Sequence, residues 1–177
     1  MDLINFIKIS TAGMRVQGTR LRVISENIAN ADSLPDGPGD EPYRRKQVSF
    51  KNVLDRSIDG HRVKVDKTLL DKGAFEKKFD PQHPAADENG YVAVPNVNAL
   101  IEMMDMREAQ RSYEANLSII REIAEEHGIP IIENPPIARA LPAGVEVDQK
   151  IPPEHFKAVA EIIGYVFRLK EKMPKRT

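Results

Sequence analysis

The 177-residue sequence contains no cysteine and no tryptophan. The first absence excludes a disulfide framework, thiolate metal sites and a cysteine nucleophile. The second, with aromatics at only 6%, leaves Leu, Ile, Val, Met and Ala to fill the core. An excess of one charge is also missing. With 26 basic and 27 acidic residues the formal net charge is −1, so the whole chain has no electrostatic footprint for nucleic acid or for an anionic membrane. No apolar run approaches the roughly 20 residues of a membrane-spanning helix, and membrane insertion is not expected. A basic n-region with a small-residue cleavage site is absent from the first residues, so a secretory signal is not expected either.

Two long amphipathic stretches are present. Leu3, Ile7, Ser10, Met14, Gln17, Leu21, Ile24 and Ile28 recur at alternating steps of four and three. This is a heptad seam with two polar positions, on a helix of about 25 residues. Lys8, Arg15, Arg22 and Glu26 lie on the opposite face. After Pro95, which suits a first helical turn, Leu100, Met103, Arg107, Gln110, Tyr113, Leu117, Ile120 and Ala124 repeat the pattern towards Gly128, a natural C′ residue. The simplest packing makes the two helices an antiparallel pair. They hold more apolar seam than one pair can bury, which favours assembly.

Between them lies a β-rich excursion. The proline- and glycine-rich residues 30–42 form a loop, and residues 43–50 and 61–68 carry strand signals. Shorter strand signals reach Val94, with turns at Asp80-Pro81 and Asn89-Gly90. Beyond Gly128 the pattern changes. Residues 129–132 suit a short strand, residues 137–145 a short helix opened by Asn134-Pro135-Pro136, and Pro152-Pro153-Glu154 opens a last helix. Its apolar side carries Phe156, Val159, Ala160, Ile163, Val166, Phe167 and Leu169, and residues 170–177 form a basic tail. The fold class is α+β, with a small mainly helical C-terminal segment.

Little argues for chemistry. His61, His83, His127 and His155 stand at no metal-ligand spacing. Asp80, Asp87 and Asn89 do not match a calcium loop, and a pair of tight turns explains them better. Met103, Met104 and Met106 suit a helix interface. No nucleophile elbow, phosphate loop or dinucleotide fingerprint occurs, so neither an enzyme nor a cofactor is expected.

Three segments jointly carry a family resemblance. Arg20-Leu21-Arg22-Val23-Ile24-Ser25-Glu26-Asn27-Ile28-Ala29-Asn30-Ala31-Asp32 is followed by Pro42-Tyr43-Arg44-Arg45-Lys46. Phe79-Asp80-Pro81, His83-Pro84-Ala85-Ala86-Asp87 and Gly90-Tyr91-Val92 come next. Pro95-Asn96-Val97-Asn98 then leads to Glu102-Met103 and Ala109-Gln110-Arg111-Ser112-Tyr113-Glu114-Ala115-Asn116. Residues 1–120 thereby resemble the FlgC family of flagellar proximal-rod proteins. The resemblance implies a coiled-coil-like core of terminal helices, packing against copies of itself and other rod proteins in the periplasm. It also implies passage from the cytoplasm through the flagellar type III export apparatus. The assembly interface would then comprise Leu3, Ile7, Met14, Leu21, Ile24, Ile28, Leu100, Met103, Tyr113, Leu117 and Ile120. Phe50 and Leu54 have a spacing similar to the gate-recognition motif of early export substrates, although a strand end packed into the core is the commoner explanation.

A second resemblance begins within the long helix. Residues 120–130, then Glu133-Asn134-Pro135-Pro136-Ile137-Ala138-Arg139-Ala140-Leu141, Ile151-Pro152-Pro153-Glu154 and Ala158-Val159-Ala160-Glu161-Ile162-Ile163 are similar to the later half of the cytoplasmic domain of the FlhB export-gate family. That family's Asn-Pro-Thr-His cleavage motif is absent, and so are the domain's earlier strands. Ala158 and Ile162 match a substrate-docking face of that family. The chain therefore reads as a fusion: a rod-like module over 1–120, a truncated export-gate-like segment over 121–170 and a basic tail over 171–177. A cytosolic export-gate accessory that binds early flagellar substrates is the alternative to a rod subunit.

Overall fold

The computed structural model describes residues 3–129, 131 and 156–172. Seven elements follow in chain order: α1 (Leu3–Ala29), β1 (Lys46–Asp55), β2 (Gly60–Leu70), β3 (Glu76–Phe79), β4 (Tyr91–Val94), α2 (Ala99–Glu126) and α3 (Phe156–Lys172). The chain divides into two compact units, Met1–Gly128 and Ile129–Thr177. The fold class is α+β.

In the first unit α1 and α2 run antiparallel. Gly13 meets Asn116, Arg20 meets Asp105 and Asn27 meets Glu102, so a step up one helix is a step down the other. The contacts on α1 recur every seven residues, the period that keeps one helix face towards a partner. The helices come close at Gly13, where a Cβ would stand 2.7 Å from Asn116 Oδ1 and the Asn116 side chain would have to move.

The other side of α1 is covered by the β1–β2 hairpin, an antiparallel pair with a bulge between Ser49 and Phe50. The start of β1 meets Asn27 at one end of α1, and Ile58 O receives Asn5 Nδ2 at 3.5 Å near the other. The lengths agree. From Asn5 to Asn27 the helix climbs about 33 Å at 1.5 Å per residue, and β1 extends about 30 Å at 3.3 Å per residue. With neighbours on two sides, α1 has no exposed residue from Ser10 to Leu21. Lys8, Arg15 and Glu26, expected on a solvated face, are half-buried for this reason. Val16, Val23 and Ile24 form its buried apolar contribution.

The α2 seam differs from expectation. Leu100, Met103 and Tyr113 are exposed, and so are Arg107 and Gln110. The face turned towards α1 instead contains Glu102, Asp105, Ala109 and Asn116, with Ala124 nearer the C-terminal end. Polar pairs set the rotation of α2 in its first half, where hydrophobic periodicity points to an exposed strip; Leu117, Ile120 and Ala124 of the same seam are half-buried or buried. The helix starts at an Asn98 cap, whose side chain accepts from Leu100 N at 3.0 Å and Ile101 N at 3.2 Å. It ends at Gly128, whose φ of +64 is the left-handed C′ conformation.

β3 and β4 form a second antiparallel pair, with Phe79 against Tyr91 edge-on at 5.2 Å. Their connection is a folded loop. Asp87 Oδ1 accepts from Asn89 N and Tyr91 N, and His83 Nδ1 accepts from Ala85 N. The Lys77 ammonium, hydrogen-bonded to Asp87, and then the Tyr91 N–H hold the Asp87 carboxyl below its usual range. Its oxygens are thus occupied by protein donors, as tight turns require.

α3 is the described helix of the second unit. Ile129 and Ile131 belong to no strand; Pro130, Ile132, the helix start at Asn134-Pro135-Pro136, the helix over 137–145 and the Pro152-Pro153-Glu154 opening lie outside the described residues. So does the tail beyond Lys172.

Gly90 gives a direct test of the β3–β4 loop. Its φ is +80, and a Cβ would stand 3.0 Å from both Phe79 Cε2 and Pro81 Cβ. Gly90→Ala should cost about 1–2 kcal/mol from the backbone alone, read as a lowered urea midpoint. An unchanged midpoint would contradict this loop geometry.

Candidate functional site

The most densely bonded place in the first unit is a buried polar cluster where α1, β1 and α2 meet. Asn27, in the last turns of α1, is 1% exposed and Glu102, in the first turns of α2, is 0% exposed. The Asn27 amide is fully used. Nδ2 donates to Lys46 O and to Glu102 Oε2, both at 2.9 Å, while Oδ1 accepts from Lys46 N at 2.9 Å and Tyr43 Oη at 3.0 Å. A side-chain amide offers two donor hydrogens and two acceptor lone pairs, so none is left over. Its pair of hydrogen bonds to the Lys46 N–H and C=O copies a peptide group and fastens the end of α1 to the first residue of β1.

Glu102 is answered on both oxygens. Oε2 accepts from Asn27, and Oε1 accepts from Arg45 Nε at 2.6 Å. The carboxylate also sits one turn inside the N-terminus of α2, where the helix dipole favours negative charge. Arg45 reaches further, with Nη2 3.5 Å from Asp105 and Nη1 3.6 Å from Asp71. Burial works against the Arg45 charge, but the Glu102 hydrogen bond together with the charges of Glu102, Asp71 and Asp105 outweighs it and raises the guanidinium's pKa. The Arg45 backbone is held too: its N donates to Asn96 Oδ1 at 2.8 Å and its O accepts from Asp71 N at 2.8 Å. Arg44 turns the other way. It donates to the Asp71 and Gly73 carbonyls and lies over the Phe75 ring at 4.0 Å. Lys46 Nζ pairs with Glu26. One tripeptide thereby anchors both helices, the end of β2 and the segment before α2.

The chemistry of this cluster is positional. Among the described residues no group of three or more His, Asp or Glu could hold a metal ion. Asn27, Tyr43, Arg45 and Glu102 all occur in the family motifs, yet no periodicity or spacing in the sequence assigns them a role. The available signal was Glu102 itself, a carboxylate within an otherwise apolar first turn.

The expected assembly residues fall into two groups. On α1, Ile24 is buried and Leu3, Ile7, Met14, Leu21 and Ile28 are half-buried. On α2, Leu117 and Ile120 are half-buried, whereas Leu100, Met103 and Tyr113 are exposed. Leu100, Ile101, Met103 and Met104 together leave a large apolar surface on the first turns of α2. Phe50 and Leu54 are exposed on β1 rather than packed into a core. Ile162 is half-buried on α3, and Ala158 lies one turn before it.

Two measurements test the cluster. Arg45→Met leaves Glu102 buried without its cation and should cost about 3–5 kcal/mol in chemical denaturation. Adding Glu102→Leu should recover part of that loss; a double variant at the sum of the single losses would show that the two do not interact. Burial first, then the charges of Glu26 and Glu102, pushes the Tyr43 hydroxyl from 10.0 up to about 12. The folded state therefore keeps its proton where the unfolded chain loses it. The stability linked to Tyr43 is full below pH 10 and declines as pH rises towards 12. Tyr43→Phe should remove that alkaline decline, and an identical profile in the variant would contradict it.

Comparison with known proteins bears on both units. Residues 88–125 match the family described as flagellar basal body rod FlgEFG protein C-terminal. Residues 114–166 match the FlhB HrpN YscU SpaS family. The two matches share residues 114–125, which lie wholly inside the uninterrupted α2. Flagellar basal-body rod protein FlgC of Agrobacterium fabrum is 58% identical over 115 residues, covering 65% of this chain and 83% of that protein. The Salmonella typhimurium FlgC is 37% identical over 123 residues, covering 70% and 91%. The Aquifex aeolicus FlgC is 38% identical over 130 residues, covering 71% and 94%. With more than four-fifths of each relative covered, the chain belongs to the FlgC family of flagellar basal-body rod proteins, and it carries an FlhB-family segment fused behind its rod module.

Proposed function

We propose that this rod protein travels from the cytoplasm through the flagellar export apparatus and assembles in the periplasmic rod through its two long helices. FlgC-family membership makes the chain a structural component of the basal-body rod, and its relatives are structural rather than enzymatic proteins. The observation that carries the assembly reading is the apolar surface that α2 leaves uncovered. Leu100 is 62% exposed and Met103 49%, beside a polar cluster that fixes the rotation of their helix. A monomer gains nothing from large apolar groups held rigidly in water; a subunit that packs on neighbours does. Copies of this chain and other rod proteins are the partners, and a coiled-coil-like arrangement of α1 and α2 with neighbouring helices is the mode. Phe50 and Leu54, both exposed on one strand, suit an export signal read before folding or at the gate.

The modules are taken as 1–120 for the rod part, 121–170 for the export-gate-like part and 171–177 for the tail. One observation favours the second reading, an export-gate accessory retained in the cytoplasm. The FlhB-family match extends through most of α3, and Ala158 and Ile162, one turn apart on it, would serve as the docking strip.

The test is replacement of a flagellated cell's own FlgC by this chain. Recovery in purified basal bodies with motility restored is the expected result. Leu100→Asp combined with Met103→Asp should leave the unfolding free energy from urea denaturation within about 0.5 kcal/mol, since both sites are exposed, yet abolish that recovery. Retention of the parent chain on the cytoplasmic export apparatus would instead establish the accessory reading.

A further inference from the structure

α3 has a second apolar strip, separate from the one holding Ala158 and Ile162. At 100° per residue, Phe156, Ala160, Ile163 and Phe167 fall within about 60° of one another, and Ala158 and Ile162 lie about 120° or more from its centre. The large members of the strip are open: Phe156 is 57% exposed, Ile163 49% and Phe167 63%. Lys157, Glu161 and Arg168 occupy a third strip, roughly 100° to 140° from Phe156, and are exposed as well.

Charge is unevenly distributed along the chain. Residues 156–177 contain six basic residues, Lys157, Arg168, Lys170, Lys172, Lys175 and Arg176, against Glu161 and Glu171, while the whole chain is at −1. The cationic excess therefore lies on and just after the helix with the most exposed aromatic strip. Seventeen residues of helix measure about 26 Å, short of the ~30 Å hydrocarbon core, and charges interrupt the helix along its length. Such a helix cannot span a bilayer. It can lie along one, with its aromatic strip at the acyl boundary and its basic residues among anionic headgroups.

We propose that α3 is an interfacial helix that docks the chain on an anionic phospholipid surface, with Phe156, Ile163 and Phe167 inserted and Lys157 and Arg168 at headgroup level. The charge complementarity selects this occupant over a second copy of the helix, which would bring the same cationic excess against itself. The inference is independent of whether the chain builds a rod.

Flotation of the full chain with vesicles decides the matter. The chain should float with phosphatidylcholine vesicles containing phosphatidylglycerol, remain behind with phosphatidylcholine alone, and release as salt is raised. Ile163→Asp with Phe167→Asp should reduce the floated fraction about tenfold. Lys157→Glu with Arg168→Glu, which leaves the aromatic strip intact, should reduce it several-fold. Absence of flotation, equal flotation on neutral vesicles, or full flotation of both variants would overturn the proposal. So would a stable dimer in lipid-free solution that the Ile163→Asp and Phe167→Asp changes break, which would give the strip to a second copy.

Discussion

A carboxylate cut off from water must find its full complement of donors inside the protein, and in this fold Glu102 finds them on three separate elements. Asn27 brings the end of α1, Arg45 brings the entry to β1, and the N-terminus of α2 supplies the dipole. None of these elements can shift by a residue without stranding a buried charge. The net stability from such a pair is small, because desolvation offsets attraction, but breaking it is costly. The cluster therefore acts chiefly on which arrangement forms. It chooses the register of α1 against α2, and from that register follow the Gly13 crossing, the Arg20–Asp105 pair and the outward turn of Leu100 and Met103.

That choice also marks how far the sequence could be read. Element types were legible, because heptad spacing over many turns and alternating strands bounded by Pro and Gly are local signals. The two long helices, the hairpin and the turn at Asn89-Gly90 all occur, and α2 closes at Gly128. The face of α2 was legible only in its second half, where Leu117, Ile120 and Ala124 are half-buried or buried. Leu100, Met103 and Tyr113 keep an apolar period that points to burial, and only the distant partners of Glu102 show that another strip faces inward. Periodicity counts apolar residues; here the inward strip is partly ionic. The hairpin's cover over Lys8, Arg15 and Glu26 was hidden for a similar reason, since which helix face a hairpin occupies depends on contacts 19 residues or more apart, such as Asn27 with Lys46.

The fusion point has a simple physical basis. The shared residues 114–125 lie in the C-terminal half of a continuous helix, where the main demand on a joined sequence is to keep its phase. Asn116 against Gly13 and the buried Ala124 show that this stretch still packs within the first unit. The junction thus exchanges one helical sequence for another without a new loop, a new turn or a new cap until Gly128.

The matched run of α1 and the β1–β2 hairpin between their two points of attachment carries a mechanical meaning. The hairpin is attached near both ends of the helix, at Lys46 and near Ile58, and runs alongside it. Force applied along this direction loads the hairpin and helix in shear, so that their contacts must yield together rather than one at a time. The helix is splinted over most of its length, and tension along the molecule would be borne by the whole lateral contact instead of peeling it open from one end.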